Sequence, residues 1–314
     1  MSLIIASQLD ADFNRGLARH PSRPVLIDVS EEEPWSAAGE ADVLIVRPSL
    51  AWRAPPQVRP TAWPGRLKWV YSASAGIDFY PPWLLDAPLV TCGRGVASDE
   101  IADYVIAAIY SQAKNLEAAT VRSRSEWIHR PLGRVSGTTV GIVGLGAIGT
   151  AVGRRAVALG AQVIGVRRSN AGVGIPGIQL VSDIRQLVAE ADHIVLALPS
   201  TAQTHHLIDD ALLAHVRPGA HLINVARGSV IDQDALIRAL DDGRLGFATL
   251  DVTDPEPLPE GHALYTHPKV RLTPHISSNH TLVRHRLLDK MHDDLTRFAR
   301  DEPPSDIVDP VRGY

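Results

Sequence analysis

The hydrophobic residues of the first ninety positions fall into short runs separated by proline, glycine and polar residues. Each run has the length of a strand, and a strand buried on both faces of a parallel sheet is apolar along its whole length. These runs therefore predict a first α/β layer built on a parallel sheet. The predicted strands are Leu3–Ala6, Val25–Val29, Val43–Val46, Leu67–Tyr71 and Leu89–Cys92.

The pattern changes at residue 98, where apolar residues begin to recur at helical spacing and continue to Ser111. We expect Ser98 to cap the first amides of this helix, and the acidic pair Asp99 and Glu100 suits its positive end. A second series of apolar runs follows and alternates with helical segments, which predicts a second parallel, doubly wound sheet. Its strands are Val140–Val143, Gln162–Val166, His193–Leu198, His221–Val225, Phe247–Leu250 and Val270–Leu272.

Composition and charge exclude several classes of protein. The 314 residues are 45% hydrophobic and 21% charged, which is typical of a globular protein of about two domains. The formal net charge of −4 argues against a nucleic-acid partner, since nucleic-acid-binding domains usually have a basic face. Cys92 is the only cysteine, which excludes an intrachain disulfide or a cysteine-built zinc site.

Cysteine content and the length of the apolar runs also indicate in which cellular compartment the protein is found. A single cysteine is usual in a reducing compartment, so we expect a cytoplasmic protein that holds no metal. No run reaches the ~18–20 apolar residues of a membrane span, so we expect no membrane partner. The first residues also lack the charged start and long apolar stretch of a signal peptide.

Residues 138–159 have the order strand, glycine-rich turn and helix. In this turn, Gly144 allows the tight bend, Gly146 lets a pyrophosphate approach the backbone, and Gly149 lets helix and strand pack closely. The amides at the start of the helix, with Ala147 and Ile148 in its first turn, would bind the phosphates. A glycine-rich loop without chemical significance is the alternative, but the flanking strand and helix favour a dinucleotide site.

The end of the next predicted strand bears on the choice of dinucleotide. Arg167, Arg168 and Ser169 follow it, and the nearest downstream carboxylate is Asp183. An acidic residue here would bind the 2′-hydroxyl of NAD, whereas arginine accommodates the 2′-phosphate of NADP. We therefore predict that NADP(H) is preferred and that NAD(H) remains possible. A solvated surface pair is the alternative interpretation of the two arginines.

Three further strand ends carry ionisable residues, at the sheet edge where ligands bind in open α/β folds. Arg227 lies in the segment 224–228, Glu256 in the segment 250–257 and His275 in the segment 273–277. Each of these residues taken alone could be structural. In combination with the glycine turn, these segments resemble the D-isomer-specific 2-hydroxyacid dehydrogenase family. Within that family the chain is similar to NADPH-dependent glyoxylate and hydroxypyruvate reductases.

The resemblance implies a catalytic role for each of three residues. Arg227 would bind a small 2-oxo acid, because a planar guanidinium grips a carboxylate and polarises the neighbouring carbonyl. His275 would donate the proton during reduction and accept it in the reverse direction. Glu256 would hydrogen-bond the far ring nitrogen, which orients the imidazole and favours its protonated form.

Further sites follow from the resemblance alone. The residues implied at the cofactor are Pro199, Thr204, Val225, Ala226, Asp251 and Ser277. The residues implied at the substrate are Arg47 and the amides of Ala75 and Gly76; a strand-terminal surface arginine is an equally good interpretation of Arg47. Trp127 occupies the position of a dimerisation arm, which implies a homodimer.

The resemblance also implies a fold. We expect an α/β protein with two doubly wound parallel-sheet domains, in which a Rossmann cofactor domain (residues 96–282) is inserted into a flavodoxin-like substrate domain (residues 1–95 and 283–314). A helix predicted from about Asn279 to Arg300 is too short to form a domain alone, so we expect it to pack on the first domain.

Two other functions remain open at this stage. The same fold serves corepressor-type interaction proteins that sense NAD(P), and fold alone does not decide between them and enzymes. Ser277 stands where many members have Gly or Ala, as in formate dehydrogenases of the same superfamily. Those enzymes carry Gln at the position of Glu256, so the present residue favours a 2-oxo acid.

Overall fold

A computed structural model describes residues 2–53, 56, 58–168, 176–278 and 280–314 of the chain. It consists of two compact units. Unit 1 comprises Met1–Val96 and His280–Tyr314, and unit 2 comprises Ala97–Asn279. The chain therefore leaves unit 1 once, builds unit 2, and returns to complete unit 1.

Unit 1 contains a five-stranded parallel sheet with the strand order β2-β1-β3-β4-β5. This is the flavodoxin-like order. Its strands are β1 (Ile4–Ser7), β2 (Val25–Asp28), β3 (Val43–Val46), β4 (Trp69–Ser72) and β5 (Val90–Cys92). Its helices are α1 (Ala11–Leu17), α2 (Leu50–Arg53) and α9 (His280–Phe298).

The C-terminal helix α9 completes unit 1. It packs against α1, and it buries Leu287, Met291 and Leu295. Its last residue, Phe298, lies with its ring 5.1 Å from that of Trp69 on β4. The tail that follows runs beside β5, where the Val308 amide donates to the Val90 carbonyl at 2.9 Å. The first and last segments of the chain thus share one core.

Unit 2 contains a seven-stranded parallel sheet with the order β12-β11-β10-β9-β6-β7-β8. The first strand lies inside the sheet and the order reverses beside it, as in a Rossmann fold. The strands are β6 (Thr139–Val143), β7 (Gln162–Val166), β8 (Ile178–Leu180), β9 (His193–Leu196), β10 (Ala220–Asn224), β11 (Leu245–Leu250) and β12 (Val270–Leu272).

Two hydrophobic cores lie on opposite faces of this sheet. Because side chains alternate along a strand, Val195 and Ile223 pack in the core that includes α3 and α5, while Ile194 and Leu222 pack in the core that includes α6, α7 and α8. The helices of unit 2 are α3 (Ser98–Lys114), α4 (Leu116–Ala119), α5 (Ala147–Ala158), α6 (Ile184–Glu190), α7 (Asp210–Leu213) and α8 (Gln233–Asp241).

The predicted fold class is confirmed, and two local expectations are corrected. Ala97, not Ser98, precedes α3 as its N-cap. Ser98 is the first helical residue, and its buried hydroxyl has no hydrogen-bond partner among the described residues. The helix also continues beyond Ser111 to Lys114, where Asn115 ends it in the left-handed conformation. The short strand β8 was not predicted, because two of its three residues are exposed.

Candidate active site

The glycine turn, residues 144–149, connects β6 to α5 and has little room for side chains. Gly144 has φ +100°, and a Cβ there would lie 2.5 Å from the Ala197 carbonyl oxygen. A Cβ on Gly149 would lie 2.0 Å from the Gly144 carbonyl oxygen. Both distances are far below van der Waals contact, so only glycine allows this close packing of strand, turn and helix.

The space around Gly146 is different, because no atom of the described residues would lie within 4 Å of a Cβ there. Gly146 is also the N-cap of α5, and among the residues that the structure describes no side chain caps this helix end. Its first amides, including those of Ala147 and Ile148, and the positive end of the helix dipole are therefore left uncapped by the described part of the chain. These residues fit the pyrophosphate of a dinucleotide.

The two predicted phosphate-binding arginines follow β7, which pairs with β6. The Gly144 amide donates to the Val166 carbonyl at 3.0 Å, which joins the glycine turn to this strand end. Arg167 is half-buried and Arg168 is exposed. Ser169, the third residue predicted there, lies outside the described residues.

The loop after β9 carries Pro199 and Thr204. The Thr204 hydroxyl donates to the Pro199 carbonyl at 2.8 Å and accepts from the Thr201 amide at 2.8 Å, which gives the loop a fixed turn. The hydroxyls of Ser200 and Ser229 lie 2.9 Å apart. This contact joins the loop to the segment that follows Arg227.

Asn224, the last residue of β10, shapes the loop that presents Arg227. It is fully buried, its side-chain amide donates to the Arg227 carbonyl at 2.9 Å, and its side-chain oxygen accepts from the Ala226 amide at 2.9 Å. Val225 and Ala226, the next two residues of the loop, are also buried. No role was predicted for Asn224; the available signal was a polar residue at the end of a buried strand.

Gly228 brings the loops after β10 and β11 together. A Cβ there would lie 1.9 Å from the carbonyl carbon of Thr253, so the backbones of the two loops touch. The Thr253 amide in turn donates to Glu256 Oε1 at 3.2 Å. Arg227 is thereby placed beside the loop that carries Glu256.

Glu256 and His275 form the predicted pair, with 3.1 Å between Glu256 Oε2 and His275 Nδ1. Burial alone would raise the pKa of Glu256, but the hydrogen bond and charge of His275, the Thr253 amide and the charge of Arg227 hold it below its ordinary value. Glu256 is therefore a carboxylate at neutral pH. Since Nδ1 faces Glu256 and the His275 side chain is 48% exposed, Nε2 is the nitrogen that can exchange a proton with a substrate.

The histidine loop, residues 273–278, is held by Asp251. His275 has φ +53°, and its amide donates to the Asp251 carbonyl at 2.8 Å. The Asp251 carboxylate accepts from the amides of Ile276 and Ser277, each at 2.9 Å. Asp251 and Ser277 are 1% and 7% exposed. Their predicted contact with the cofactor stays a prediction, whereas their bonding within the loop is direct.

The residues predicted at the substrate lie in unit 1, at the carboxyl ends of β3 and β4. Arg47 Nη2 donates to both oxygens of Glu31, at 3.1 and 3.0 Å, and its Nε donates to the Gln8 carbonyl at 2.9 Å. The Ser74 hydroxyl donates to the Gly76 carbonyl at 2.7 Å, and Ala75 is exposed. Arg47 therefore has an internal counter-ion, which sequence reasoning did not foresee.

Two negative findings concern only the described part of the chain. None of its helices is both long enough and apolar enough to cross a bilayer. Within the same ranges, no three His, Cys, Asp or Glu side chains are grouped so that they could hold a metal ion.

Known proteins support the geometry described above. The family model of the D-isomer specific 2-hydroxyacid dehydrogenase, NAD binding domain, matches residues 106–277. A glyoxylate/hydroxypyruvate reductase A of Serratia proteamaculans (strain 568) is 32% identical over 280 residues, which is 85% of this chain and 87% of the relative. A glyoxylate reductase of Thermococcus litoralis is 35% identical over 232 residues, which is 70% of this chain and 69% of the relative.

A solved structure leads to the same conclusion. The D-isomer specific 2-hydroxyacid dehydrogenase of Xanthobacter autotrophicus Py2, in complex with NADPH and MES, has a TM-score of 0.82 at 26% identity, with 100% of both chains covered. The resemblance predicted from the motifs is confirmed. The family model lies within unit 2, which therefore contains the dinucleotide-binding domain. The chain is an oxidoreductase that belongs to the D-isomer specific 2-hydroxyacid dehydrogenase family.

Proposed function

We propose that the chain is an NADPH-dependent reductase of a small 2-oxo acid of the glyoxylate or hydroxypyruvate type. The observation that carries this proposal is the Glu256–His275 pair, with 3.1 Å between its atoms and the Arg227 loop packed beside it. An interaction protein that only senses a dinucleotide has no need of a positioned acid–base pair. The names of the relatives in Serratia and Thermococcus support the substrate class.

His275, Glu256 and Arg227 each have a separate role in the reduction. His275 donates the proton of Nε2 to the carbonyl oxygen, while Glu256 holds Nδ1 on the opposite side of the ring and so orients the imidazole. Arg227 binds the carboxylate and stabilises the negative charge that develops on the oxygen. A bound nicotinamide supplies the hydride that the carbonyl carbon accepts. In the reverse direction His275 Nε2 accepts the proton of the hydroxyl.

The test is a panel of acids assayed with the full chain. Oxidation of NADPH would be followed with glyoxylate, hydroxypyruvate, pyruvate and phenylpyruvate, and reduction of NADP with formate. We expect turnover with glyoxylate and hydroxypyruvate and none with formate. If no 2-oxo acid were reduced while NADPH still bound, the proposal would be wrong and a sensing role would take its place.

The preference for NADP(H) rests on Arg167 and Arg168. The Xanthobacter structure contains NADPH, which supports the same choice. Replacing both arginines with alanine should raise KM for NADPH about 10²–10⁴-fold and change KM for NADH by less than about 3-fold, because each of the two charged contacts to a phosphate contributes about 1.5–3 kcal/mol. Arg312→Ala, a change at an exposed arginine of unit 1, is the matched control. A wild-type preference for NADH would contradict the assignment.

We also propose a homodimer, formed through the segment after α3. Five large apolar side chains there are 37–76% exposed: Leu116, Val121, Trp127, Ile128 and Leu132. So many exposed apolar residues in one short segment are typical of an interface. Sedimentation equilibrium should give a dimer, and Trp127→Glu combined with Ile128→Glu should give a monomer. A monomeric wild-type protein at micromolar concentration would contradict this.

The cytoplasmic location stays part of this proposal. The thiol of Cys92 is buried and free, as is usual for a protein of a reducing compartment. Cell fractionation with detection of the tagged full chain tests it. Recovery outside the cytosolic fraction would contradict it.

A further inference from the structure

We propose that Tyr104 and Thr273 are positioning residues of the reaction. Together with Asp251 they form a chain of hydrogen bonds that ends on the backbone amides of the histidine loop. This inference rests on the proposed function, because its main readout is the rate at which a 2-oxo acid is reduced. It concerns two residues that make no contact with the reacting atoms.

The histidine loop needs to be held. His275 has φ +53°, a conformation that a residue with a Cβ rarely adopts without surrounding support. Its amide is bonded to the Asp251 carbonyl at 2.8 Å, and the next two amides are bonded to the Asp251 carboxylate at 2.9 Å each. The position of the catalytic imidazole therefore depends on the orientation of one aspartate.

Thr273 fixes that orientation. Asp251 is 1% exposed, and its Oδ1 accepts from the Thr273 hydroxyl at 2.6 Å as well as from the Ile276 amide. Two donors on Oδ1 and one on Oδ2, from Ser277, define the plane of the carboxylate. If the hydroxyl were lost, Oδ1 would keep a single donor and the carboxylate could rotate.

Tyr104 completes the chain from a distant part of the sequence. It lies on α3, and its hydroxyl is 2.6 Å from Thr273 Oγ1. A threonine hydroxyl has one proton, which here is donated to Asp251, so the tyrosine hydroxyl must be the donor in this contact. Burial raises the pKa of Tyr104, which keeps the phenol protonated as this donor role requires. The order of donation is thus Tyr104 to Thr273 to Asp251.

This arrangement predicts how its loss would act. The Glu256–His275 contact lies on the exposed side of the loop, whereas Tyr104 and Thr273 act on its backbone from the half-buried side. A small rotation of Asp251 would move the His275 ring away from Glu256 without touching the glycine turn. The rate of proton transfer should fall, and binding of the dinucleotide, whose phosphates meet the glycine turn, should change much less.

The experiment uses four variants of the full chain. Thr273→Val removes the hydroxyl at constant shape, Thr273→Ser restores it, and Tyr104→Phe removes the last donor. Thr249→Val is the matched control, because it removes another buried hydroxyl of the same sheet, bonded to His221 at 2.9 Å and not to the histidine loop. The measurement is the single-turnover rate of NADPH oxidation per bound NADPH, which partial unfolding does not change.

We expect Thr273→Val to lower this rate about 5- to 20-fold and Tyr104→Phe about 3- to 10-fold, as for a lost hydrogen bond. Thr273→Ser should stay within about 2-fold of wild type, and Thr249→Val should be unchanged. The dissociation constant for NADPH should vary by less than about 2-fold among the five proteins, well below the change in rate. Equal rates for Thr273→Val and wild type, or an equal loss in Thr249→Val, would overturn the inference.

A second readout does not depend on the reaction. Hydrogen exchange of the amides of Ile276 and Ser277 should be faster in Thr273→Val than in wild type or Thr249→Val. If the wild-type chain reduced no 2-oxo acid, the proposed function would fail, and this exchange measurement alone would decide the role of Thr273. Unchanged exchange at both amides would then refute it.

Discussion

The glycine turn and the histidine loop lie at the same edge of the sheet of unit 2, but they are held by different forces. The glycine turn is held by the absence of side chains: a Cβ at Gly149 would lie 2.0 Å from the backbone. The histidine loop is held by hydrogen bonds to one buried carboxylate, that of Asp251. Gly144 and Gly149 leave no room for a side chain, whereas the histidine loop depends on its hydrogen-bond donors.

This difference determines which properties of the protein a substitution in each segment should change. Steric exclusion acts on the fold itself, so an added side chain at Gly149 should lower the stability of the protein. Hydrogen bonds to a loop act on its position, so a change there should affect the rate and leave the fold intact. The following tests separate these two effects.

The largest effect is expected at the tip of the histidine loop. His275→Ala should lower kcat for reduction by about 10²–10⁴-fold, the usual range for a positioned acid, and leave the dissociation constant of NADPH unchanged. Steady-state kinetics and fluorescence titration with NADPH measure the two quantities. Near wild-type turnover in this variant would refute the proposed mechanism.

Two alanine substitutions in the glycine turn, at Gly149 and at Gly146, can be compared directly. Gly149→Ala should lower the free energy of unfolding by about 2–3 kcal/mol, because its Cβ would overlap the Gly144 carbonyl oxygen. Gly146→Ala has open space and should leave stability within about 0.5–1 kcal/mol, the ordinary glycine-to-alanine range, yet raise the Kd for NADPH about 10-fold or more. Urea unfolding and titration measure the pair. Equal behaviour of both variants would remove the distinction between packing and phosphate contact.

A smaller effect concerns a histidine that the reaction does not use. His221 on β10 is 2% exposed; burial, then the charges of His193 and Arg271, lower its pKa to about 3. The unfolded state binds a proton below pH 6.5 and the folded state does not, so stability is complete above pH 6.5 and is lost as the pH falls towards 3. At pH 5 the loss is about 2 kcal/mol.

Urea unfolding at pH 8 and pH 5 checks this value. His221→Gln serves as control, because it keeps a polar group beside Thr249 but does not titrate. Between pH 8 and pH 5, the wild-type protein should lose up to about 2 kcal/mol more of its free energy of unfolding than this variant loses. A difference of less than about 1 kcal/mol would contradict the prediction. An equal drop in both proteins would show that the pKa of His221 is the same in the folded and unfolded states, which would contradict the prediction.

The comparison also shows how far sequence reasoning reaches. The glycine turn was predictable because its strand, glycines and helix are contiguous, and each glycine answers a local steric demand. The contact between Glu256 and His275 was predictable from strand ends and from family resemblance, whereas the catalytic roles of Arg227, Glu256 and His275 stay predictions. Tyr104 was not predictable, because its partner Thr273 is 169 residues away and only the folded sheet brings them together.

Two other residues show the same limit. Asn224 stood in a segment already singled out, but its two bonds to the backbone of the Arg227 loop depend on a turn that spacing alone does not define. Arg47 was predicted as a substrate ligand from its strand end, whereas its contact with Glu31 joins two loops of unit 1. Long-range polar contacts leave no periodic pattern in the chain.

The divided sequence of unit 1 has a consequence for its synthesis. Residues up to Val96 leave the ribosome first, but the helix that buries Leu287, Met291 and Leu295 in the same unit follows only after about 180 residues of unit 2. At about 5–20 residues per second, this interval lasts about 10 to 40 s. During that time the nascent first segment exposes the apolar surface that α9 later covers. Unit 2, which is continuous, can fold during synthesis, so the chain acquires its dinucleotide-binding domain before its N-terminal unit.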